Sequence, residues 1–416
     1  MKKLLLSFLV LTLAVFFLLN LTGCQKLKVS NLSANKHLKE GNKLYTQEKF
    51  RKASEEYEKA LEKNPDLKVA YLYLGTCYSS LYKPGKDTER NKAYSENSIK
   101  FLLKAEEAFP EQDNVIIALG SMYDKLGNFD EAEKYFLKIL EKSSDDPKAY
   151  YTLANFYSQN GKYIKAEEMY EKRIELDPKD PSAYHYFAVY LQNYRMWDKA
   201  VDAHKKRIFS MIDNSLLDYF KDIDKIKADI TRISDINKYI TNVEKNKAIP
   251  AETRKQLTSE KRKELENFPT MEEAINQIKA KETEMNEAVA VVEAKLNEKS
   301  DEEKLKLAEA YYSLGVVAWN KSYQTPVDED ILPAKDRREA IEFGFKSLNK
   351  AIELSPEYPN PYSYMGLLWR EMIKVDPSKS DEYVKKNNEY NKMFKDIYIK
   401  RKKREDYLKE LEELEK

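Results

Sequence analysis

Nucleophilic catalysis and metal binding draw mostly on thiols and imidazoles, and this 416-residue chain has five: Cys24, Cys77, His37, His185 and His204. Their spacing fits no catalytic or metal-binding pattern. His-Glu-x-x-His, Cys-x-x-Cys, a Gly-rich phosphate loop and Gly-x-Ser-x-Gly are all missing. Acidic pairs are common only because 71 residues are Asp or Glu. No enzyme activity, metal or cofactor is expected. Cys77 lies among Tyr71, Leu74 and Tyr78 at helical spacing, which reads as a buried, inert thiol. Cys24 is different. Lys2 and Lys3, then sixteen mostly apolar residues from Leu4 to Leu19, then the small Thr22 and Gly23, lead up to it. A charged start, a short apolar run and small residues before a cut make a secretory signal peptide. The run is short for a membrane span, which needs about 20 residues.

Leu21-Thr22-Gly23-Cys24 resembles the lipobox of bacterial lipoproteins. The resemblance implies that the Cys24 thiol carries diacylglycerol and that the chain is cut before it. It also implies that the new amine takes a fatty acyl chain such as palmitate. More than one chain gives firm anchoring. The expected location is the extracytoplasmic face of the cell membrane or the outer membrane. Gln25, where some inner-membrane lipoproteins carry Asp, points to the outer membrane if the envelope has two. Residues 1–23 are read as signal peptide and 24–33 as a tether. Gln25 to Ser33 spans at most roughly 30 Å. With Cys24 lipidated, Cys77 has no disulfide partner, so packing must stabilise the exported chain.

Charged residues reach 34%, yet 42% hydrophobic content still supports a core. Ten Gly and fourteen Pro are few for a β protein with many tight turns, and Lys, Glu, Leu and Ala favour helices. Removing residues 1–23 takes two lysines and no acid, leaving 70 basic against 71 acidic residues, net −1. No nucleic-acid partner is expected, because such binding needs a basic face.

One eight-residue pattern recurs: large apolar, two residues, large apolar, Gly or Ala, two residues, large apolar. It reads Tyr71/Leu74/Gly75/Tyr78, Ile116/Leu119/Gly120/Tyr123, Tyr150/Leu153/Ala154/Tyr157 and Tyr184/Phe187/Ala188/Leu191. Later copies are Tyr311/Leu314/Gly315/Ala318 and Tyr362/Met365/Gly366/Trp369, and a degenerate first copy holds Gly41 and Leu44. The small residues, from Gly41 to Gly366, are separated by 34, 45, 34, 34, 127 and 51. Second halves follow in register, as in Ala53/Tyr57/Ala60/Pro65, Ser98/Leu102/Ala105/Pro110, Ala132/Phe136/Ile139 and Ala166/Tyr170/Pro178. The period and pattern resemble the tetratricopeptide repeat (TPR) family.

The resemblance implies an all-α TPR-type helix-turn-helix solenoid, with units 1–5 over 34–208 and units 6–7 over 301–380. Each unit is a pair of helices whose small residue permits close approach, and stacking buries the shared face. Loops are expected near Pro84-Gly85 and from about Tyr323 to Asp336.

Between the two arrays, residues 209–300 carry a narrow apolar seam. It comprises Leu216, Phe220, Ile223, Ile226, Ile230, Ile233, Ile236, Ile240 and Val243, then Ile275, Ile278, Met285, Val289, Val292 and Leu296. Steps of three and four predict a coiled-coil-like antiparallel hairpin, and the polar stretch between, with Pro250 and Pro269, offers Leu257 and Leu265 as possible helix anchors. Self-association through it stays open. Residues 381–416 read as a C-terminal capping helix, with Tyr383, Tyr390, Phe394 and Ile397 over the last repeat. Its basic run, Lys400 to Arg404, is expected to be neutralised by the acids that follow.

In TPR proteins the first helix of each unit lines the binding groove. Carried over by register, the groove candidates are Asn114, Ile117 and Ser121, then Tyr151, Asn155 and Gln159, then His185, Val189 and Gln192. Asp124 and Lys125 share that face, and His204 takes a core aromatic position. Amides and hydroxyls suit an extended peptide backbone. Chaperone-binding members grip a C-terminal carboxylate. Asn42 matches one such position, but Leu38 stands where the lysine belongs. The expected function is a membrane-anchored scaffold for protein–protein interactions in the bacterial envelope, engaging an envelope protein or an extended peptide. Lipoproteins of this build resemble pilotins of pilus secretins and outer-membrane assembly factors. The alternative is an envelope enzyme or ligand receptor acting through 209–300.

Overall fold

Residues 30–323 and 332–414 are described by the computed structural model. The residues read as signal peptide, Cys24, residues 25–29 of the expected tether and most of the loop expected after Tyr323 lie outside them. Among the described residues the only regular structure is helical. None of these helices is long and apolar enough to cross a membrane. The chain divides into two compact units, residues 1–172 and 173–416.

In the first unit, α1 (30–46) pairs with α2 (Phe50–Lys63), and α3 (Val69–Leu81) with α4 (Glu89–Ala108). Then α5 (Asp113–Lys125) pairs with α6 (Phe129–Lys142), and α7 (Pro147–Gln159) with α8 (Tyr163–Leu176), whose last turn enters the second unit. From α2 to α7 each helix packs on the next, and α3 also packs on α5, the next first helix, as stacked repeats require. Helix α1 begins at residue 30, so residues 30–33 are its first turn and not tether. Neither Pro nor Gly interrupts the chain from Ser30 to Glu40, so nothing delays the helix.

The small residues work as contact points. A Cβ on Gly75 would stand 2.7 Å from Leu102 Cγ, and one on Gly41 would stand 2.7 Å from a Tyr57 ring carbon. Both partners lie in the second helix of the pair and are fully buried. The 45-residue spacing is absorbed by the loop before Thr88 and by α4, which has 20 residues. Gly85 in that loop has φ +76°, a conformation glycine adopts without strain. Thr88 caps α4 by accepting from the Asn91 amide. Cys77 is fully buried, and burial pushes its thiol up to about 12.

In the second unit, α9 (Pro181–Asn193) pairs with α10 (Trp197–Ile212). α10 then packs directly on α14 (Asp301–Tyr323), which pairs with α15 (Ala334–Leu354). α16 (Asn360–Val375) follows and packs on α17 (Ser380–Leu414). The repeat therefore resumes across the insertion. The first turns of α17 complete the last pair, with Tyr383 buried and Gly366 against Asn387 and Asn391.

The insertion begins after Ile212, where α10 ends, and not at residue 209. Its long helix α11 (Leu217–Lys245) packs on α13 (Met271–Glu293), and Lys281 reaches back to Asp222. A third helix, α12 (Ala251–Leu265), runs through the possible anchors Leu257 and Leu265 and covers the far end of α11. It forms from the polar stretch between Pro250 and Pro269, held by Arg232–Glu264 and Arg262–Glu244 pairs. Phe220, Ile223, Ile233, Ile236, Ile240 and Val243 are buried as the seam predicts. Ile275 is not: it is 42% exposed while Ala274 is fully buried, so the seam of α13 starts one residue earlier.

Candidate functional site

The first helices of the pairs carry the groove candidates. In the first unit, Asn114 and Gln159 are exposed, Ile117 is 37% exposed, and Ser121, Tyr151 and Asn155 are half-buried. In the second unit, Val189 is 38% exposed, and His185 and Gln192 are half-buried. The structure thus keeps all nine in reach of solvent, six on one unit and three on the other. Ile117 and Val189 are apolar side chains left partly in water.

The polar groups on this face are positioned from the second helix. Tyr170 Oη donates to Asn155 Oδ1 at 3.0 Å, and Tyr57 Oη donates to Asn42 Oδ1 at 2.8 Å. Each tyrosine lies fifteen residues after its asparagine, on the partner helix. The hydroxyl fixes which end of the amide faces inward. Neither Nδ2 finds an intramolecular partner among the described residues. Two amide donors are left over, which an extended backbone carbonyl can satisfy. The Tyr151 ring meets Tyr170 edge-on at 6.4 Å.

Other groove polars are already engaged. Lys125 Nζ donates to the Ser79 carbonyl at 2.9 Å, capping the end of α3. Asp124 accepts from Asn160 Nδ2 at 2.7 Å. Those two therefore serve the stack.

The fifth pair varies the same device. His204 occupies the place of Tyr57, Phe136 and Tyr170, sixteen residues after the small residue. It is fully buried, and Gln192 Nε2 donates to its Nε2 at 3.1 Å. Burial, with the Arg207 charge second, pushes His204 down to about 3. The ring is neutral, and its Nδ1 carries the proton without a partner. His185 is also pushed down, by burial first and by Arg207 second. Arg207 Nη1 donates to His185 Nδ1 at 3.3 Å.

Reading positions on first helices gave the groove candidates but not the tyrosine hydroxyls and Arg207, which come from second helices. The recurring Asn-to-Tyr spacing of fifteen was the signal that could have found the hydroxyls. The basic run of α17 turns onto its own chain: Lys400 and Arg404 pair with Glu357, and Arg401 pairs with Glu405. Among the described residues, no three His, Cys, Asp or Glu side chains are grouped to hold a metal ion.

Residues 38–80 and 125–188 each match a tetratricopeptide repeat family model. Together with the helix pairs above, they show that these segments are tetratricopeptide repeats. Repeats of this kind mediate protein–protein interaction, and the fold is typically a scaffold rather than an enzyme. No curated protein matches the chain. Among solved structures, MamA is similar at 24% identity, over 41% of this chain and 93% of that one, with a TM-score of 0.32. A thermophilic TPR protein of Thermus thermophilus matches at 25% identity, over 38% and 100%, with a TM-score of 0.27. PilF of Pseudomonas aeruginosa matches at 16% identity, over 44% and 82%, with a TM-score of 0.34.

Proposed function

We propose that this protein is a lipid-anchored scaffold of the bacterial cell envelope that captures an extended segment of a partner protein on its first-helix face. The observation that carries the capture is the pair of tyrosine-oriented asparagines, Asn42 and Asn155, each with an amide nitrogen left without an intramolecular partner. Peptide carbonyls spaced along an extended strand are the ligand such donors fit. Exposed Ile117 and half-buried Tyr151, on first helices of the same unit, offer apolar contact. Anchoring rests on Cys24 and the residues before it. Assembly of a secretion, pilus or outer-membrane complex is the setting in which a tethered scaffold would act.

The test is crosslinked capture from envelope extracts by the lipid-free mature chain. Asn155→Ala and Tyr151→Glu should each reduce recovery of the captured protein about tenfold, the worth of one or two lost contacts. Tyr170→Phe should reduce it less, because the asparagine stays but loses its orientation. Recovery unchanged in all three variants would remove the groove from the account.

A further inference from the structure

Arg173 and Arg207 are separated by one 34-residue repeat, on the second helices of consecutive pairs. Arg173 has a counter-ion: its Nη2 donates to Asp180 Oδ2 and to Ser182 Oγ, both at 2.9 Å, and its guanidinium lies 5.2 Å from the Tyr186 ring. One repeat later those three places hold Asn214, Leu216 and Phe220, where the insertion begins. Arg207 has therefore lost the carboxylate and hydroxyl its counterpart uses. Among the described residues no carboxylate lies within ion-pair distance of it. Glu309, exposed on α14, is an acid whose charge Arg207 feels, and it does not close a bond. A half-buried guanidinium with no counter-ion is costly to maintain, since buried charges are normally paired.

The neighbours add donors and no acceptor of charge. His185 Nδ1 accepts from Arg207, so its Nε2 carries the proton, with no partner among the described residues. The His204 ring lies 6.3 Å from that of His185 and holds its own unpartnered Nδ1 proton. We propose that Arg207, with His185 beside it, receives a carboxylate of the partner's peptide, supplied by an acidic side chain or a free C-terminus. A planar guanidinium with its fork unoccupied matches carboxylate geometry. This site deepens the peptide-groove reading and rests on it for the class of ligand. It nevertheless fails separately, because Asn155 lies in the other unit.

The chain has three histidines, and His37 lies in the first unit against Glu56 at 2.7 Å, which provides an internal reference. The full mature chain, labelled at histidine, is titrated by NMR with a blocked Ala-Ala-Glu-Ala-Ala peptide. Parallel titrations use its Gln analogue and a penta-alanine with a free C-terminus. The glutamate peptide should shift the His185 signal and leave His37 in place, with an affinity in the millimolar range set by one charged contact. The Gln analogue should give no saturable shift. Whichever carboxylate source binds more tightly identifies the segment. Arg207→Gln should abolish the shift, and Glu309→Gln should tighten binding about fivefold by removing a like charge.

Arg207→Lys keeps the charge and loses the fork, so it should weaken binding about tenfold. It stands in if the Gln variant does not fold. A silent His185, or an unchanged response in the Arg207 variants, would overturn the site. If Asn155→Ala abolishes capture while His185 is silent, the groove survives and this site does not.

Discussion

His204 shows how a single side chain sets a condition on stability. It fills a fully buried place that Phe136 or Tyr170 fills in neighbouring pairs, and it does so as a neutral ring. In the unfolded chain a histidine titrates near 6.5, and here the folded value is about 3. Between those values the unfolded chain binds a proton that the folded chain does not. Stability therefore falls as pH drops through 6.5, and at about pH 5 the loss is about 2 kcal/mol. His185, shifted in the same direction, adds to it. His204→Tyr restores the residue type found at the same place in two other pairs and should remove most of this acid sensitivity. Melting curves of both proteins at about pH 7.5 and about pH 5 measure it. Equal losses in both would mean that His204 is not the group responsible. The sequence made His204 legible as a core aromatic, because its place in the repeat is fixed. Its Gln192 partner and the neighbouring Arg207 were not legible, because both contacts depend on how the second helix lies across the first.

At the scale of elements, the insertion has two parts with different jobs. Its base is fused to the repeats: Leu216, Phe220, Met285 and Leu296 belong to one core with Ile208, Leu307 and Tyr311. Its far end, where Ile233, Ile236, Ile240 and Val243 meet α12, lies outside that core. Replacing residues 229–277 by a short turn should leave the melting temperature of the second unit within a few degrees of the parent, since distant contacts contribute independently. Removing 214–300 strips apolar cover from Leu307 and Tyr311, which at about 25 cal/mol per Å² should cost several kcal/mol. Calorimetry of the two deletions separates the cases; equal destabilisation by both would show that the core extends along the whole insertion. Helix α12 showed in the sequence only as two possible anchors, Leu257 and Leu265, for a physical reason. Eight of its fifteen residues are charged, and only Thr258 is buried. It is held by ion pairs and by half-buried Leu257 and Leu265, so it carries almost no apolar period. The seam of α11, by contrast, repeats every three or four residues over its length and was plain.

The repeat period was legible for the whole molecule because each small residue must sit at one contact point. Gly75 against Leu102 and Gly315 against Leu348 tolerate nothing larger, while the residues between them drift freely. The irregular spacings were also legible as insertions, since the small residues resume in register after each. What a repeat pattern does not encode is where the scaffold works. That rests on the twenty-four residues up to Cys24, and it leads to a test on the intact chain. Two or more acyl chains bury enough CH₂ groups, at about 0.8 kcal/mol each, to hold the protein on a leaflet. The net charge of −1 that cleavage before Cys24 would leave gives no electrostatic attraction to anionic lipid in its place. Cys24→Ser should therefore move the protein wholly from the membrane fraction to the soluble one, or leave an uncleaved precursor. Incorporation of a labelled fatty acid should vanish in the same variant. A wild-type chain that takes up no label would show that membrane association, if it occurs, has another origin, and the groove would then have to be placed with no lipid to anchor it.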